Sequence, residues 1–132
     1  MTAERSAFGR LVGYELQVWE DGYAKVGLTV REDHLNRSGL LHGGVLMTLI
    51  DATCGYAGTY SADPQKPRRG FTLQLSTQFI ATVKRGAVLT AEARQTGGGA
   101  KIFYASCEVR DQDGRLVGDG QGSFRHRRST LR

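Results

Sequence analysis

A chain of 132 residues and 14.4 kDa has the length of one domain, and 39% hydrophobic residues can form a core, which excludes disorder. The formal net charge of +5 is concentrated in four arginines after Phe124, so the rest of the chain is nearly neutral and a nucleic-acid-binding face is not expected. Two cysteines without metal-ligand spacing, and no apolar run long enough for a signal peptide or a membrane span, predict a cytoplasmic protein. We expect a single domain over 1–132 with a basic tail from about residue 125.

The first half of the chain predicts two strands and one long helix. Residues 14–19 and 23–30 alternate apolar and polar side chains, and the Asp21-Gly22 pair between them is typical of a hairpin turn. After a polar loop from Arg31 to about Leu41, apolar residues recur at helical spacing from Gly44 to about Tyr60. This helix has almost no polar face, so we predict that it is buried.

The second half predicts four strands. Residues 71–83 alternate over their whole length, which predicts one very long strand with a continuous apolar face. A turn at 84–86 leads into a strand over 87–96, and turns at 97–99 and 111–114 introduce strands over 101–110 and 115–124. The order β-β-α-β-β-β-β, with an antiparallel meander at the end, predicts an α+β domain whose sheet curls around one long buried helix.

The start of the predicted helix could bind a ligand. It reads His42-Gly43-Gly44, and the first turn of a helix presents unpaired N–H groups and the positive end of its dipole. The two glycines would let another molecule approach that backbone closely. A glycine-bearing loop without function is an equally good interpretation from spacing alone, because neither phosphate-loop motif is present.

Asp51 is the most informative side chain within the helix. It stands among apolar residues, where a carboxylate is costly to bury, and such carboxylates concentrate at functional sites. An Asp at the helix edge, paired with a neighbouring hydroxyl or amide, is the alternative. His42 and Asp51 are nine residues apart, about 13.5 Å along one helix, so a site that used both would need Asp51 from a second, antiparallel subunit.

Other reactive side chains offer less. His34 and His42 are eight residues apart without a third ligand nearby, so a zinc site is not expected. Cys54 lies in the apolar helix and is predicted to be a core residue. His126 stands among the arginines of the tail and is predicted to be solvated.

One stretch of the chain resembles the hotdog-fold acyl-CoA thioesterases, in particular the subgroup typified by the phenylacetate-degradation thioesterase. The stretch is Asn36-x5-His42-Gly43-Gly44-x6-Asp51, followed by the strand that opens Gly70-Phe71-Thr72. The motif covers about residues 34–83, and the strand order matches from about 14 to 125. The resemblance implies the hotdog fold, an antiparallel sheet wrapped around one long central helix.

The resemblance also implies roles for five residues. Asp51 would be the general base or the nucleophile at the thioester, and the N–H of Gly43 would polarise the thioester carbonyl. Asn36 and His42 would position the carbonyl or the attacking water, and Thr72 would orient that water. A thiolate leaves readily, so no metal or redox cofactor is required.

The implied substrate and assembly follow from the same resemblance. Coenzyme A would enter as part of an acyl-CoA substrate, and the chain would form a homodimer or a tetramer built as a dimer of dimers, with no nucleic acid or membrane as partner. Each basic residue that could contact coenzyme A is more often a solvated surface charge than a ligand contact, so these residues are candidates only. The candidate contacts are Lys84, Arg85, Gly99, Lys101 and Arg125.

The resulting hypothesis is an acyl-CoA thioesterase for an aromatic or medium-chain acyl group, whose identity stays open. The alternative is a non-catalytic acyl-CoA-binding or regulatory module of the same fold. Asp51 argues against that alternative, because a binding module gains nothing from a carboxylate beside a thioester. A dehydratase of this fold would carry a different motif.

Overall fold

The computed structural model describes residues 5–127 and shows six strands and one long helix. The six strands form a single antiparallel sheet in the order β1-β2-β4-β5-β6-β3, so the predicted α+β hotdog architecture is confirmed. Part of the predicted basic tail, including Arg128 and Arg132, lies outside the described residues. The elements are α1 (Ala7–Val12), β1 (Glu15–Glu20), β2 (Tyr23–Thr29), a short 3-10 turn (Glu32–His34), α2 (Gly43–Gly58), β3 (Gly70–Phe79), β4 (Val88–Gly98), β5 (Ile102–Arg110) and β6 (Leu116–His126).

The prediction of one long strand over 71–83 with a continuous apolar face is wrong, both in the length of the strand and in which side chains share a face. Strand β3 ends at Phe79, which pairs with Gly118, because the next two amides both donate to the carbonyl of Val117 and the regular pairing with β6 stops there. A bulge between Thr72 and Gln74 also exchanges the two faces of the strand. Phe71 therefore pairs in register with Arg125 on the outer face, whereas Thr72 shares the inner face with Phe124.

Strand β3 is not part of the terminal meander either. Strands β4, β5 and β6 form that meander as predicted, but both sides of β4 are occupied, by β2 and β5. Residues 80–87 therefore cross the end of the sheet, and β3 lies at its far edge beside β6. One side of β3 is left without a hydrogen-bonded neighbour among the described residues.

The short helix α1 was not predicted. The Ser6 side chain caps its start by accepting a hydrogen bond from the N–H of Gly9, and Gly13 ends it in a left-handed conformation. With only six residues, α1 is too short to produce a periodic pattern. The Arg31 guanidinium attaches it to the domain by donating to the carbonyls of Leu11 and Val12.

Helix α2 lies in the concave side of the sheet with one face covered and one face open. Leu46, Leu49, Ile50, Cys54 and Ala57 are buried against the strands. The prediction of a helix buried on all sides is therefore wrong for the single chain, because the sheet curls over only part of the helix surface. The open stripe consists of Gly44, Met47, Thr48, Asp51, Ala52 and Gly55, which are exposed or half-buried.

Glycines let α2 and β3 approach the rest of the sheet closely. At Gly120 of β6, a Cβ would lie 2.5 Å from the carbonyl oxygen of Ser76 in β3 and 2.9 Å from a methyl carbon of Ile50 in α2. At Gly58, the last residue of α2, a Cβ would lie 2.0 Å from the ring of Phe103. Larger residues at these positions would push the helix off the sheet.

No helix in the described part of the chain is both long and apolar enough to cross a membrane.

We expect Gly58→Ala to lower the free energy of unfolding by about 2 kcal/mol, because its methyl group overlaps the Phe103 ring. Gly55→Ala is the matched control in the same helix: nothing lies within 4 Å of its Cβ position, so it should raise stability by up to about 1 kcal/mol. Urea unfolding measures both. Equal effects of the two substitutions would contradict the close packing at Gly58.

Candidate active site

Asp51 and Thr72 form a hydrogen-bonded pair between α2 and β3. The Thr72 hydroxyl donates to Oδ1 of Asp51 over 2.5 Å, and Asp51 is half-buried at the open stripe of the helix. The single chain therefore shows the alternative arrangement, an Asp at the edge of the helix that is paired with a neighbouring hydroxyl, and the prediction of an Asp enclosed by apolar side chains is wrong for it. Its second carboxylate oxygen accepts no hydrogen bond from the described residues.

The loop before α2 is closed by the side chain of Asn36. Its Oδ1 accepts from the N–H groups of Ser38 and Leu40, over 2.8 and 3.1 Å, while the backbone N–H of Asn36 donates to the Leu40 carbonyl. The side chain is exposed, and its amide nitrogen has no acceptor within the described structure. Asn36 therefore holds its own loop with the oxygen and offers two N–H donors to a ligand.

His42 caps the start of α2 and leaves one backbone donor free. Its Nδ1 accepts from the N–H of Gly44 over 2.8 Å, so the neutral ring carries its proton on Nε2. Its carbonyl accepts from Val45 and Leu46. The N–H of Gly43, in contrast, has no acceptor among residues 5–127, and it lies at the positive end of the helix dipole.

The structure does not bring the free N–H of Gly43 and the carboxylate of Asp51 together within one chain. Gly43 and Asp51 are separated by about 12 Å of helix, given the rise of 1.5 Å per residue. The ring of Phe79, at the end of β3, lies 3.2 Å from the Cβ position of Gly43, whereas Thr72 is close to the start of the same strand. Asn36, His42 and Gly43 thus form one half-site, and Asp51 with Thr72 forms another.

The candidate coenzyme A contacts also divide into two groups. Lys84 and Arg85 follow β3 on the side of Gly43, and Arg85 forms an ion pair with Glu32 at 3.4 Å. The remaining three, Gly99, Lys101 and Arg125, lie at the opposite end of the sheet, where β5 and β6 pair. One ligand bound to a single chain could not contact both groups.

Three other side chains are placed as follows. Cys54 is fully buried, which confirms that it is a core residue. His34 is buried too: its Nδ1 accepts from the N–H of Arg31, and its Nε2 donates to the carbonyl of Val12 at 2.7 Å. The prediction of a solvated His126 is wrong, because its ring lies 4.8 Å from that of Phe103 and beside the Arg68 guanidinium. No group of three or more metal-ligating side chains occurs among the described residues.

Two substitutions of Asn36 should distinguish the structural role of its Oδ1, which closes the loop, from the role of its unused amide N–H donors. Asn36→Ala removes the acceptor for two backbone N–H groups and should lower the free energy of unfolding by about 1 kcal/mol, with faster hydrogen exchange at Ser38 and Leu40. Asn36→Asp keeps the acceptor and should keep both amides protected. If Asn36→Asp exposes these amides as much as Asn36→Ala does, the oxygen does not close the loop.

Solved structures of other proteins share this fold over nearly the whole chain. The protein PA5202 of Pseudomonas aeruginosa is 34% identical, with a TM-score of 0.85 over 93% of this chain and 95% of its own. The phenylacetic acid degradation protein PaaI of Thermus thermophilus is 25% identical, with a TM-score of 0.79 over 91% and 98%. A hypothetical thioesterase of Streptococcus pneumoniae, solved with coenzyme A, is 27% identical, with a TM-score of 0.74 over 86% and 87%.

The family comparison agrees with these structures. The family model of the thioesterase superfamily matches residues 38–118, which include α2, β3, β4 and β5 and thus more than half of the chain. Asp51, Gly43 and Thr72 all lie within the matched range. The chain therefore belongs to the thioesterase superfamily, with the hotdog fold.

Proposed function

We propose that this protein is an acyl-CoA thioesterase. In it, Asp51 either attacks the thioester carbonyl itself or activates a water molecule that does so, and the N–H of Gly43 stabilises the oxyanion that forms. The observation that carries the proposal is the Asp51–Thr72 pair, a carboxylate fixed by a hydroxyl on the open stripe of the central helix. The free N–H at the start of the same helix supports it. The coenzyme A bound to the Streptococcus pneumoniae neighbour supports the choice of thioester.

The chemistry requires few groups. As base, Asp51 accepts a proton while water forms the new C–O bond at the thioester carbonyl; as nucleophile, its own oxygen forms that bond and water later hydrolyses the resulting anhydride. The Gly43 N–H donates to the carbonyl oxygen as its negative charge develops. The C–S bond then breaks and coenzyme A leaves as a thiolate, a good leaving group, so the proposal includes no metal or redox cofactor.

A complete site would take its two halves from two subunits. Asn36, His42 and Gly43 come from one chain, and Asp51 and Thr72 come from its partner. The open stripe of α2 supports this arrangement, because Gly43, Met47 and Asp51 follow one another at intervals of four residues along the same side of the helix. Two such helices packed antiparallel would bring each Gly43 towards the Asp51 of the other subunit.

The free edge of β3 supports the same dimer. An unpaired strand edge readily pairs with another strand, and this one carries the exposed apolar side chains of Phe71, Leu73 and Phe79. A two-fold axis at Ser76, perpendicular to the sheet, would pair inner-face residues with inner-face residues and, because of the bulge after Thr72, would set Phe79 opposite Thr72 of the partner subunit. Since Phe79 touches Gly43, that register joins the two half-sites and continues the sheet across the dimer.

This dimer would also unite the candidate coenzyme A contacts. Antiparallel pairing of β3 places Lys84 and Arg85 of one subunit at the same end as Lys101 and Arg125 of the other. Phosphates of coenzyme A would bind among these cations, far from the bond that breaks. A tetramer built from two such dimers is compatible with this arrangement.

The acyl group would lie against apolar side chains beside the reacting atoms. Phe79 is 58% exposed and Met47 is 39% exposed in the single chain, and both lie between the two half-sites. Burying them against a substrate gains the usual hydrophobic free energy. An aromatic or medium-chain acyl group fits these neighbours.

Asp51→Asn should retain coenzyme A binding but reduce turnover of acyl-CoA by about 10²- to 10⁴-fold, because the amide can neither accept the proton nor attack. Thiol release from a panel of aromatic and medium-chain acyl-CoAs, read with a thiol reagent, measures the effect and the acyl preference together. Turnover within a few-fold of the unmodified protein would exclude the role of Asp51. No thiol release from any substrate would favour the non-catalytic binding module.

A mixed dimer tests which subunit supplies each half-site. Asn36→Asp and Asp51→Ala homodimers should both be poor enzymes, because every site lacks one group. In the mixed dimer one site carries both substitutions and the other carries neither, so about half of the activity per dimer should return. Differently tagged chains, co-expressed and purified through both tags, provide the sample; a mixed dimer no better than its parents would mean that the site lies within one chain.

A further inference from the structure

Arg68 and His126 form an unusual pair at the end of β3. Nη2 of Arg68 lies 3.2 Å from Nε2 of His126, and Nη1 lies 3.5 Å from the carbonyl oxygen of Tyr60, just beyond α2. Burial, and then the charge of Arg68, lowers the pKa of His126, so the ring is neutral and Nε2 can accept from the guanidinium. Arg68 is exposed but held at two points, and three of its five N–H donors remain unused by the described residues.

The pair is attached to the part of the sheet that carries Thr72. Gly70 pairs with His126, and Thr72, two residues further along β3, pairs with Phe124 on the same face. The His126 ring rests on Phe103, which lies in the core under the end of α2. Arg68 is therefore oriented by a rigid part of the domain, directly beside the Asp51 half-site.

Further cations stand in the three chain segments that meet at the pair, and we call these residues together the cationic cluster. Backbone hydrogen bonds connect its segments, from the N–H of Arg127 to the carbonyl of Arg69 and from the N–H of His126 to the carbonyl of Lys101. None of the ion pairs among residues 5–127 involves a member, and Asp63 is the one acid in the three segments that form it, residues 60–70, 99–103 and 122–127. The cluster consists of the cations Lys66, Arg68, Arg69, Lys101, Arg125 and Arg127 and of the neutral His126, with Arg125 on the outer face of β6.

The shape of this charge distribution favours a compact anion with several charges. The outer face of the sheet carries Glu92, Glu108 and Asp119 beside Arg94, so it offers no continuous positive surface to a nucleic acid laid across the domain. A single carboxylate would leave most of the cations without a partner. A guanidinium held by two protein atoms, with donors to spare, matches the tetrahedral oxygens of a phosphate group.

We propose that Arg68, oriented by His126 and the Tyr60 carbonyl, binds a phosphate of coenzyme A, and that the rest of the cationic cluster surrounds the other phosphates. This inference rests on the proposed acyl-CoA thioesterase function and adds Arg68, with Lys66, Arg69 and Arg127 around it, to the candidate substrate contacts. His126 is a positioning residue, because it acts on the ligand through Arg68. The phosphate is either in the diphosphate bridge or at the 3′ position of the ribose.

Calorimetric titration of the full chain with coenzyme A, 3′-dephospho-coenzyme A and pantetheine tests the contact without relying on turnover. Arg68→Gln should weaken coenzyme A binding by about tenfold or more and leave pantetheine unaffected, because a charge-assisted hydrogen bond is lost. Arg68→Lys should fall in between. If the loss persists with 3′-dephospho-coenzyme A the contact is the diphosphate, and if it vanishes the contact is the 3′-phosphate.

Arg94→Gln is the matched control, since Arg94 stacks on Tyr23 on the outer face, away from the cluster. The proposal would be overturned if Arg94→Gln lost as much coenzyme A affinity as Arg68→Gln, or if Arg68→Gln lost pantetheine affinity equally. It would also be overturned if Arg68→Gln bound coenzyme A unchanged, or if the unmodified protein did not bind coenzyme A. A loss confined to substrates whose acyl group carries a carboxylate would do so as well.

Two variants of His126 test the positioning role. His126→Gln keeps an acceptor and should bind coenzyme A nearly as the unmodified protein does, whereas His126→Leu covers Phe103 but lacks the acceptor. His126→Leu should raise KM for acyl-CoA several-fold with kcat unchanged, provided that urea unfolding shows an intact fold; unchanged binding in a folded His126→Leu variant would exclude the role. Because binding is measured separately, loss of the Asp51 mechanism would leave this result interpretable.

Discussion

The close approach of helix α2 to strands β3 and β6 positions Asp51, Thr72 and Phe79 relative to the start of the helix. Glycines in β6 and at the end of α2 contribute no side chain of their own at these contacts, so Ile50 packs directly on the backbone of Gly120 and Phe103 on that of Gly58. At that separation a threonine on β3 can reach a carboxylate on α2, and the Asp51–Thr72 hydrogen bond forms. The same approach brings the Phe79 ring onto the first turn of the helix.

The fold places its acidic and its donating groups at different points along one helix. The carboxylate lies two turns into α2, whereas the unused N–H lies at the start, and a rigid helix cannot bring the two closer. The open stripe of the helix and the unpaired edge of β3 lie next to both groups. In our proposal a two-fold symmetric dimer overcomes this separation, because the start of α2 in one subunit then lies beside the Asp51 region of α2 in the other.

The charged side chains, like the candidate catalytic groups, are unevenly distributed over the domain. Cations gather at the end of the sheet where β3 begins and β6 ends, whereas Glu92, Glu108 and Asp119 alternate with cations such as Arg94 on the outer face of β4, β5 and β6. Such a separation does little for the stability of the fold, because exposed charges interact weakly through water. In our proposal it directs a small polyanion to one end of the molecule, next to the Asp51 half-site.

The amino-acid sequence by itself determined the element order, the α+β class and the motif residues, because period-two alternation and helical spacing are local properties of the chain. It also identified Asp51, an acid out of place among apolar neighbours. The sequence did not determine the place of β3 at the far edge, since alternation does not reveal which strand pairs with which. The bulge after Thr72, the open stripe of α2 and the contact of Arg68 with His126 were decided only by the tertiary structure. Each depends on backbones that are distant along the chain: the pairing of β3 with β6 selects the face of Thr72, and it brings His126 to the loop that carries Arg68.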